Sequence, residues 1–413
     1  MKSRSKVDKY SNKFANKENY LSKNNFQNHN VQNHNFILPL PIKFWTFEGK
    51  LLFFLLSFWC IFGLLILGSA SWWVANKEMS DWAYFIKRQI IWYIPGLTLF
   101  FIILNTNIRD FLKYSKPIFY ILLLLIGATI FFGSSINGST RWLIFGPIRI
   151  QPSEIIKPFC ILEAANLFAH WNLVNDEKKI ITIGSFSMLL LLIMKQPNLS
   201  TAGLVGILFW VIAVCGGVKI NSLFSVAVFG ATSAYISIIN NEYQMLRIKS
   251  FINPWRDPEG NGYQLIQSLL AIGSGGLFGK GFGLSMQKLQ YLPIQHTDFI
   301  FAIYAEEFGL LGSMFLLGFL VIFCYLSLRI AIKCRNNYTK LVATGCATLL
   351  IGQSLIHIAV TTGSMPTTGL PLPFVSYGGN SLIASLMIAG LLLRCSLEST
   401  GLIGILRTRK TLN

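Results

Sequence analysis

The sequence predicts an all-α integral membrane protein of about ten transmembrane helices, with a long extracytoplasmic loop before the eighth. Three observations carry this expectation. Of 413 residues only 13% are charged and 53% are hydrophobic, and the mean hydropathy is +0.53, more apolar surface than a soluble core can hide. Apolar runs long enough to cross roughly 30 Å of hydrocarbon recur from Leu51 to Leu393. The net charge of +18 is spread unevenly, with about twice as many Lys and Arg on the N-terminal side of the membrane pattern as on the other. That asymmetry reads as orientation, with both termini cytoplasmic, and nucleic acid is not expected as a partner.

Residues 1–44 are rich in Asn and Lys and cannot offset chain entropy by burial, so a disordered cytoplasmic tail is expected. The first apolar run is too long and too late for a cleavable signal peptide and reads as a signal anchor. The spanning stretches fall near 51–73, 89–105, 117–133, 154–170, 180–196, 199–217, 220–240, 299–328, 341–362 and 380–397. Residues 45–400 therefore form one transmembrane domain, and 401–413 a short cytoplasmic tail. The seven cysteines lack CxxC spacing, so neither disulfides nor a metal site is expected from them.

Polar groups are costly at membrane depth, so the places where they gather point to function. Four outer segments collect them. In residues 137–157, Asn137-Gly138 signals a turn, Ser153 suits a helix cap and Glu154 suits a first turn. Arg141 and Arg149 offer planar forks that match phosphate oxygens, and Glu154 can pair with Lys157 at i, i+3 inside the bundle. An interfacial loop with Arg and Trp anchors would use the same residues. Residues 194–203 hold a Lys-Gln-Pro break, with Ser200 or Thr201 as the cap of the next helix.

Residues 241–298 form the large extracytoplasmic loop, and loops of this length are usually functional. Its glycines between Gly273 and Gly283 fail Walker spacing and read as close-packing or hinge positions. The loop ends at Gln295-His296-Thr297-Asp298, at the rim of an apolar helix containing Glu306 and Glu307. Asp298 reads either as a helix cap, shared with Thr297, or as a carboxylate whose burial makes it a general base near neutral pH. At least one of Glu306 and Glu307 needs an interior partner, with Lys157 and Arg149 the nearest candidates. The fourth segment, residues 361–381, carries three prolines and the Gly378-Gly379 pair. Non-helical backbone at that depth survives only where protein or a wet cavity satisfies it, so this segment should line the site.

Five strings, in this order, carry a resemblance: NGSTRW with QPSEIIK, KQPNLSTAG, PWRDPEGNGYQLIQSLLAIGSGGLFGKG, QKLQYLPIQHTDFIFAIYAEEFGLLG and MPTTGLPLPFVSYGGNSL. Together they resemble the SEDS family of bacterial cell-wall polymerases, most closely its division-type FtsW branch, over roughly residues 45–400. The resemblance implies a ten-helix peptidoglycan glycosyltransferase that polymerises lipid II on the outer face of the cytoplasmic (inner) membrane, at the division septum. It carries the family's essential acid onto Asp298 of His296-Thr297-Asp298. It also implies substrate-binding positions at Arg141, at Gln151, Glu154 and Lys157, and at Ser376, Tyr377 and Gly378, with His296, Thr297 and Arg149 beside them. The chain departs from the common pattern at Asn198, Gln290, Ile294, His357 and Thr368, which leaves Asp298 as the single best candidate base.

The implied chemistry has Asp298 deprotonate the acceptor 4-hydroxyl. Arg141, Arg149, Lys157 or a bound divalent cation (Mg or Mn) would stabilise the departing undecaprenyl pyrophosphate. Implied partners are lipid II, a class B penicillin-binding transpeptidase and divisome membrane proteins. Two other classes compete. A lipid II flippase would work through Glu163, Glu306 and Glu307, and a non-catalytic scaffold for the transpeptidase would leave Asp298 dispensable.

Overall fold

In a computed structural model the described residues are 45–399, apart from 137–138 and 147. The expectations for the tails at 1–44 and 401–413, and for the Asn137-Gly138 turn, lie outside them. The chain builds α1 (Phe47–Met79), α2 (Tyr84–Asn105) and α3 (Ile108–Phe132), then a small antiparallel meander of β1 (Ser134–Ile136), β2 (Ser139–Phe145) and β3 (Ile148–Ile150). There follow α4 (Pro152–Ile155), α5 (Lys157–Ala169), α6 (Asp176–Lys195), α7 (Leu199–Cys215) and α8 (Ile220–Asn240). The large loop contributes α9 (Glu242–Ile252) and α10 (Tyr263–Gly275) before α11 (Ile300–Lys333), α12 (Asn337–Thr361) and α13 (Gly379–Ser399).

Each of the ten expected spanning stretches coincides with one of these helices. Among the described residues seven helices are long and apolar enough to cross a membrane. The other three expected spans fall on α5, which has 13 residues, on α7, which has 17, and on α6, whose Asp176, Glu177, Lys178 and Lys179 crowd its first turn. A loop was expected at 137–157; part of it is the meander, where β2 pairs with β3 through Leu143–Ile150 and Ile144–Arg149.

Helix starts follow local chemistry. Thr46 caps α1 by accepting from the Gly49 N–H at 2.9 Å, and Glu48 stands in its first turn. The cap of α7 is Asn198, which accepts from the Thr201 N–H at 3.4 Å, rather than Ser200 or Thr201. Ser153 caps nothing, because α4 starts one residue earlier at Pro152 behind Gln151.

The core sits around the last two helices. The apolar windows of α12 and α13 are 78% and 94% buried, whereas that of α8 is 6% buried. Buried Trp59 of α1 joins this core to the outer loops, with its ring 5.3 Å from Phe319, 5.2 Å from Phe323 and 5.1 Å from Phe374.

The Gly-rich part of the large loop is packed onto a break in α11, where Gly309 adopts φ 66°. Across the break Lys280 N–H donates to the Glu306 carbonyl at 3.0 Å and Leu310 N–H to the Gly276 carbonyl at 2.9 Å. A β-carbon on Gly279 would fall 2.2 Å from the Glu307 carbonyl oxygen, and Gly279 itself has φ 80°. Gly279 and Gly275, whose β-carbon would fall 2.3 Å from the Ala305 carbonyl oxygen, are the close-packing glycines among the close-packing or hinge positions expected here, whereas a β-carbon on Gly273, Gly276 or Gly283 would meet nothing within 4 Å. The carboxylates of this turn find partners within the same loop: Glu306 pairs with Lys280 at 2.6 Å and Glu307 with buried Lys288 at 2.9 Å. The expected partners, Lys157 and Arg149, are not used.

Candidate active site

The segment His296–Asp298 is held by the loop that joins α12 to α13. Ser376 Oγ donates to the Thr297 carbonyl at 2.6 Å and accepts from the Leu372 N–H at 2.8 Å. The Tyr377 N–H donates to the His296 carbonyl at 2.9 Å. Gln89 of α2 closes the arrangement, donating to the Ser376 carbonyl and accepting from the Gly378 N–H, both at 3.3 Å. The imidazole of His296 lies 4.3 Å from the ring of Phe85, which meets Tyr377 edge-on at 5.0 Å. Burial pulls His296 down to about 4, so it is neutral near pH 7.

Asp298 does not cap α11. The residue in the cap position is Phe299, and no side chain there accepts a helix N–H. The carboxyl is half-buried, and burial pushes it up to about 6 against the pull of Arg247, a Thr297 hydrogen bond and Arg141. Its backbone is set by Ile294, a β-branched residue at φ 54°, whose carbonyl accepts from the N–H of Thr297 at 3.1 Å and of Asp298 at 3.3 Å. A β-branched side chain in the left-handed region is a strained arrangement that neighbouring structure must hold in place.

Two guanidiniums face the same place. Arg141 of β2 donates from Nε to the Gln196 carbonyl at 3.2 Å and from Nη2 to the Pro197 carbonyl. Arg247 of α9 donates to the Thr367 carbonyl at 3.1 Å and to the Tyr243 hydroxyl, with its Cζ 4.5 Å above the Tyr243 ring. A β-carbon on Gly369 would lie 3.7 Å from Asp298 Oδ2 and 3.8 Å from Arg141 Nη1, so acid and cation converge on the bare side of this glycine. Arg141, Arg247 and Gly369 line a cavity of about 240 Å³ whose other walls include Leu204, Ile207 and Ile238.

Asp298, Arg141, His296, Thr297, Ser376, Tyr377 and Gly378 therefore come together. Arg149 is exposed, and its carbonyl accepts from Asn380 Nδ2 at 2.9 Å at the start of α13. Gln151 is half-buried behind α4. Glu154 and Lys157 are buried and paired at 2.6 Å. Lys157 also donates to Gln353 at 2.9 Å, and Gln353 donates to the Pro371 carbonyl at 2.7 Å. They reach the loop before α13 through Gln353. Sequence reasoning missed Arg247 among the several cations of the large loop. Its signal is Tyr243 four residues earlier, which puts ring and guanidinium on one face of a helix.

The sequence profile described as cell cycle protein, named for FtsW, RodA and SpoVE, matches residues 49–401. The chain belongs to this family, the SEDS family. It is 45% identical over 356 residues to a protein of Synechocystis sp. named "Probable peptidoglycan glycosyltransferase FtsW", across 86% of this chain and 91% of that one. A protein of the same name from Coxiella burnetii is 35% identical over 367 residues, across 86% and 97% of the two chains. The SEDS fold is similar to a chain from a solved peptidoglycan synthase complex that coordinates polymerization and crosslinking, at TM-score 0.69 and 27% identity, covering 84% of this chain and 97% of that chain. It is also similar to the rod shape determining protein RodA of Thermus thermophilus, at TM-score 0.62 and 27% identity over 84% and 95%.

Proposed function

We propose that this SEDS protein is a peptidoglycan glycosyltransferase of the cytoplasmic membrane that polymerises lipid II, with Asp298 as its general base. The single observation that carries the reading is the position of Asp298. It is a non-capping carboxyl held near pKa 6 beside two arginines, next to Gly369 of the wall of the cavity that those arginines line. A base poised near the working pH combines a useful deprotonated fraction with enough basicity to take a proton.

In the reaction, the acceptor 4-hydroxyl oxygen attacks C1 of the lipid-linked donor while its proton passes to Asp298. The bond between C1 and the phosphate oxygen breaks, inverting the α-phosphate to a β-1,4 link, and undecaprenyl diphosphate departs with the electron pair. Arginine beside the leaving oxygens stabilises the charge that develops there. Arg141, inside the cavity wall, suits this role; exposed Arg149 can receive the headgroup at the rim. Lys157 is committed to Glu154 and Gln353, and with Glu154 it acts by holding the loop that carries Gly369 and Ser376.

The residues present do not form a ready site for Mg or Mn. Among the described residues no three His, Cys, Asp or Glu side chains stand together, and Asp298 is coupled to arginines.

High identity to proteins named FtsW supports a role in the division branch, and the likeness to a synthase complex supports a transpeptidase as partner. The carboxylates that a flippase would use are engaged: Glu306 and Glu307 with Lys280 and Lys288, and Glu163 with the Ser115 hydroxyl at 2.6 Å.

Polymerisation of purified lipid II by the purified protein with its transpeptidase tests the reading. Wild type should make glycan chains, while Asp298→Ala and Asp298→Asn, folded and complexed, should lose about a hundredfold or more of the rate. Normal chains from both variants would remove Asp298 from the mechanism. An inert wild type that moves lipid II across liposomes would put transport in place of synthesis.

A further inference from the structure

The cavity beside Asp298 holds more positive charge than its neighbours balance. Arg141 gives its hydrogen bonds to two backbone carbonyls, and Arg247 to one carbonyl and one phenol. All four acceptors are neutral, and among the described residues neither guanidinium forms an ion pair with a carboxylate. The two cations feel each other. Burial and then the charge of Arg247 bring Arg141 down to about 10. Asp298 interacts with both and offsets one of the two charges, so one positive charge is left for an anion that enters between the guanidiniums to balance.

The surroundings narrow the anion's chemistry. Tyr243 stacks under Arg247 and hydrogen-bonds it, fixing the plane of its fork while leaving the face toward the cavity available. The wall beyond the guanidiniums is aliphatic: Leu204 and Ile207 come from α7 and Ile238 from the end of α8. Ile207 is half exposed. A ligand that fits must join an anionic head able to meet two forks to an apolar tail.

We propose that Arg247, braced by Tyr243, is a substrate-binding residue that pairs with Arg141 to clamp the diphosphate of the polyprenyl-linked sugar donor. This rests on the glycosyltransferase reading above and adds a residue to it. Two phosphates meet two forks, and the chain beyond the second phosphate lies along Leu204, Ile207 and Ile238. The clamp grips the leaving group within reach of Gly369, the residue between Arg141 and Asp298. As the bond to C1 breaks, the added charge appears on oxygens already facing both cations.

The test uses the full chain in lipid nanodiscs with undecaprenyl diphosphate as the probe and undecaprenyl monophosphate as the control. Binding is measured alongside lipid II polymerisation in the complex with the transpeptidase. Wild type should bind the diphosphate more tightly than the monophosphate. Arg247→Gln should weaken diphosphate binding about tenfold to a hundredfold and raise KM, with little change for the monophosphate. Arg247→Lys should recover part of the loss, and Tyr243→Phe, which keeps the ring and loses the hydroxyl, should cost less than Arg247→Gln. Thermal melting of each variant near the wild-type temperature shows that the fold is kept.

Arg247→Gln with wild-type binding and KM would overturn the clamp while leaving the Asp298 reading intact. So would a loss of kcat alone with binding unchanged, since that is the mark of a residue that only holds Thr367. Failure of wild type to polymerise lipid II is a different result, and it would overturn the underlying reading.

Discussion

Ser376 Oγ donates to the Thr297 carbonyl at 2.6 Å, so the residue before the candidate base is held by the loop that precedes the last helix. Removing the hydroxyl orphans both that carbonyl and the Leu372 N–H that Ser376 accepts. Ser376→Ala should cost about 1–3 kcal/mol of stability. It should also lower kcat more than it raises KM, because the displaced group is the backbone beside Asp298. Thermal unfolding and steady-state polymerisation read the two effects separately.

Asp298 makes folding and catalysis pull in opposite directions with pH. Its pKa rises from the ordinary 3.8 to about 6 in the folded chain. Between those values the folded protein holds a proton that the unfolded chain has released, so stability falls as pH climbs through the window. Above about pH 6 the full cost is present, on the order of 2–3 kcal/mol. Asp298→Asn should therefore melt higher than wild type at pH 7.5, with the gap closing below about pH 4. The wild-type rate should move the other way, with kcat/KM rising through about pH 6 to a plateau as the base loses its proton. An Asp298→Asn protein that melts lower than wild type at pH 7.5 would contradict the burial argument.

Glu154 and Lys157 are both buried and paired at 2.6 Å, and one Glu154 oxygen has no hydrogen-bond partner among the described residues. Losing one partner leaves an uncompensated buried charge, so Glu154→Leu alone should destabilise by about 3–5 kcal/mol. Replacing both, Glu154→Leu with Lys157→Met, should recover much of the fold. Polymerisation should recover only where the loop stays in place, because Lys157 also supports Gln353. A double variant that folds fully and works fully would reduce the pair to packing.

Gly279 and Gly273 make a matched comparison within the Gly-rich segment. A β-carbon on Gly279 meets the Glu307 carbonyl at 2.2 Å and requires φ 80°, whereas one on Gly273 meets nothing within 4 Å. Gly279→Ala should lower the melting temperature by an amount worth about 1–3 kcal/mol, through the clash with the Glu307 carbonyl and the left-handed backbone of Gly279. Gly273→Ala, inside α10, should be neutral or stabilising by about 0.5–1 kcal/mol. Melting of both proteins in the same detergent decides between them.

Much of this architecture was legible from apolar spacing, because a membrane helix announces itself by length. The gathering of the candidate site was legible where costly groups stood: the large loop, ending at Asp298, meets Ser376 to Gly378 of the proline-rich segment. Pairings were not legible. Glu306 and Glu307 looked short of partners, yet Lys280 and Lys288 fold back from the same loop, and no periodicity reports a fold-back held by backbone bonds at Gly309. The meander escaped notice because β1 and β3 have three residues each, too few to alternate visibly. Arg247 was hidden among similar cations, and only its Tyr243 partner and the cavity it faces set it apart.

Helix α8 has 21 residues and buries only Leu223. Roughly 31 Å long by its rise per residue, it matches the hydrocarbon thickness of a bilayer. Its last turn brings Ile238 to the cavity wall. With so little protein to fix its height, the acyl chains of a bilayer would act as its scaffold, and the width of the membrane would become one of the dimensions of the cavity. The same polypeptide should then synthesise at different speeds in thin and thick bilayers without a single residue being changed.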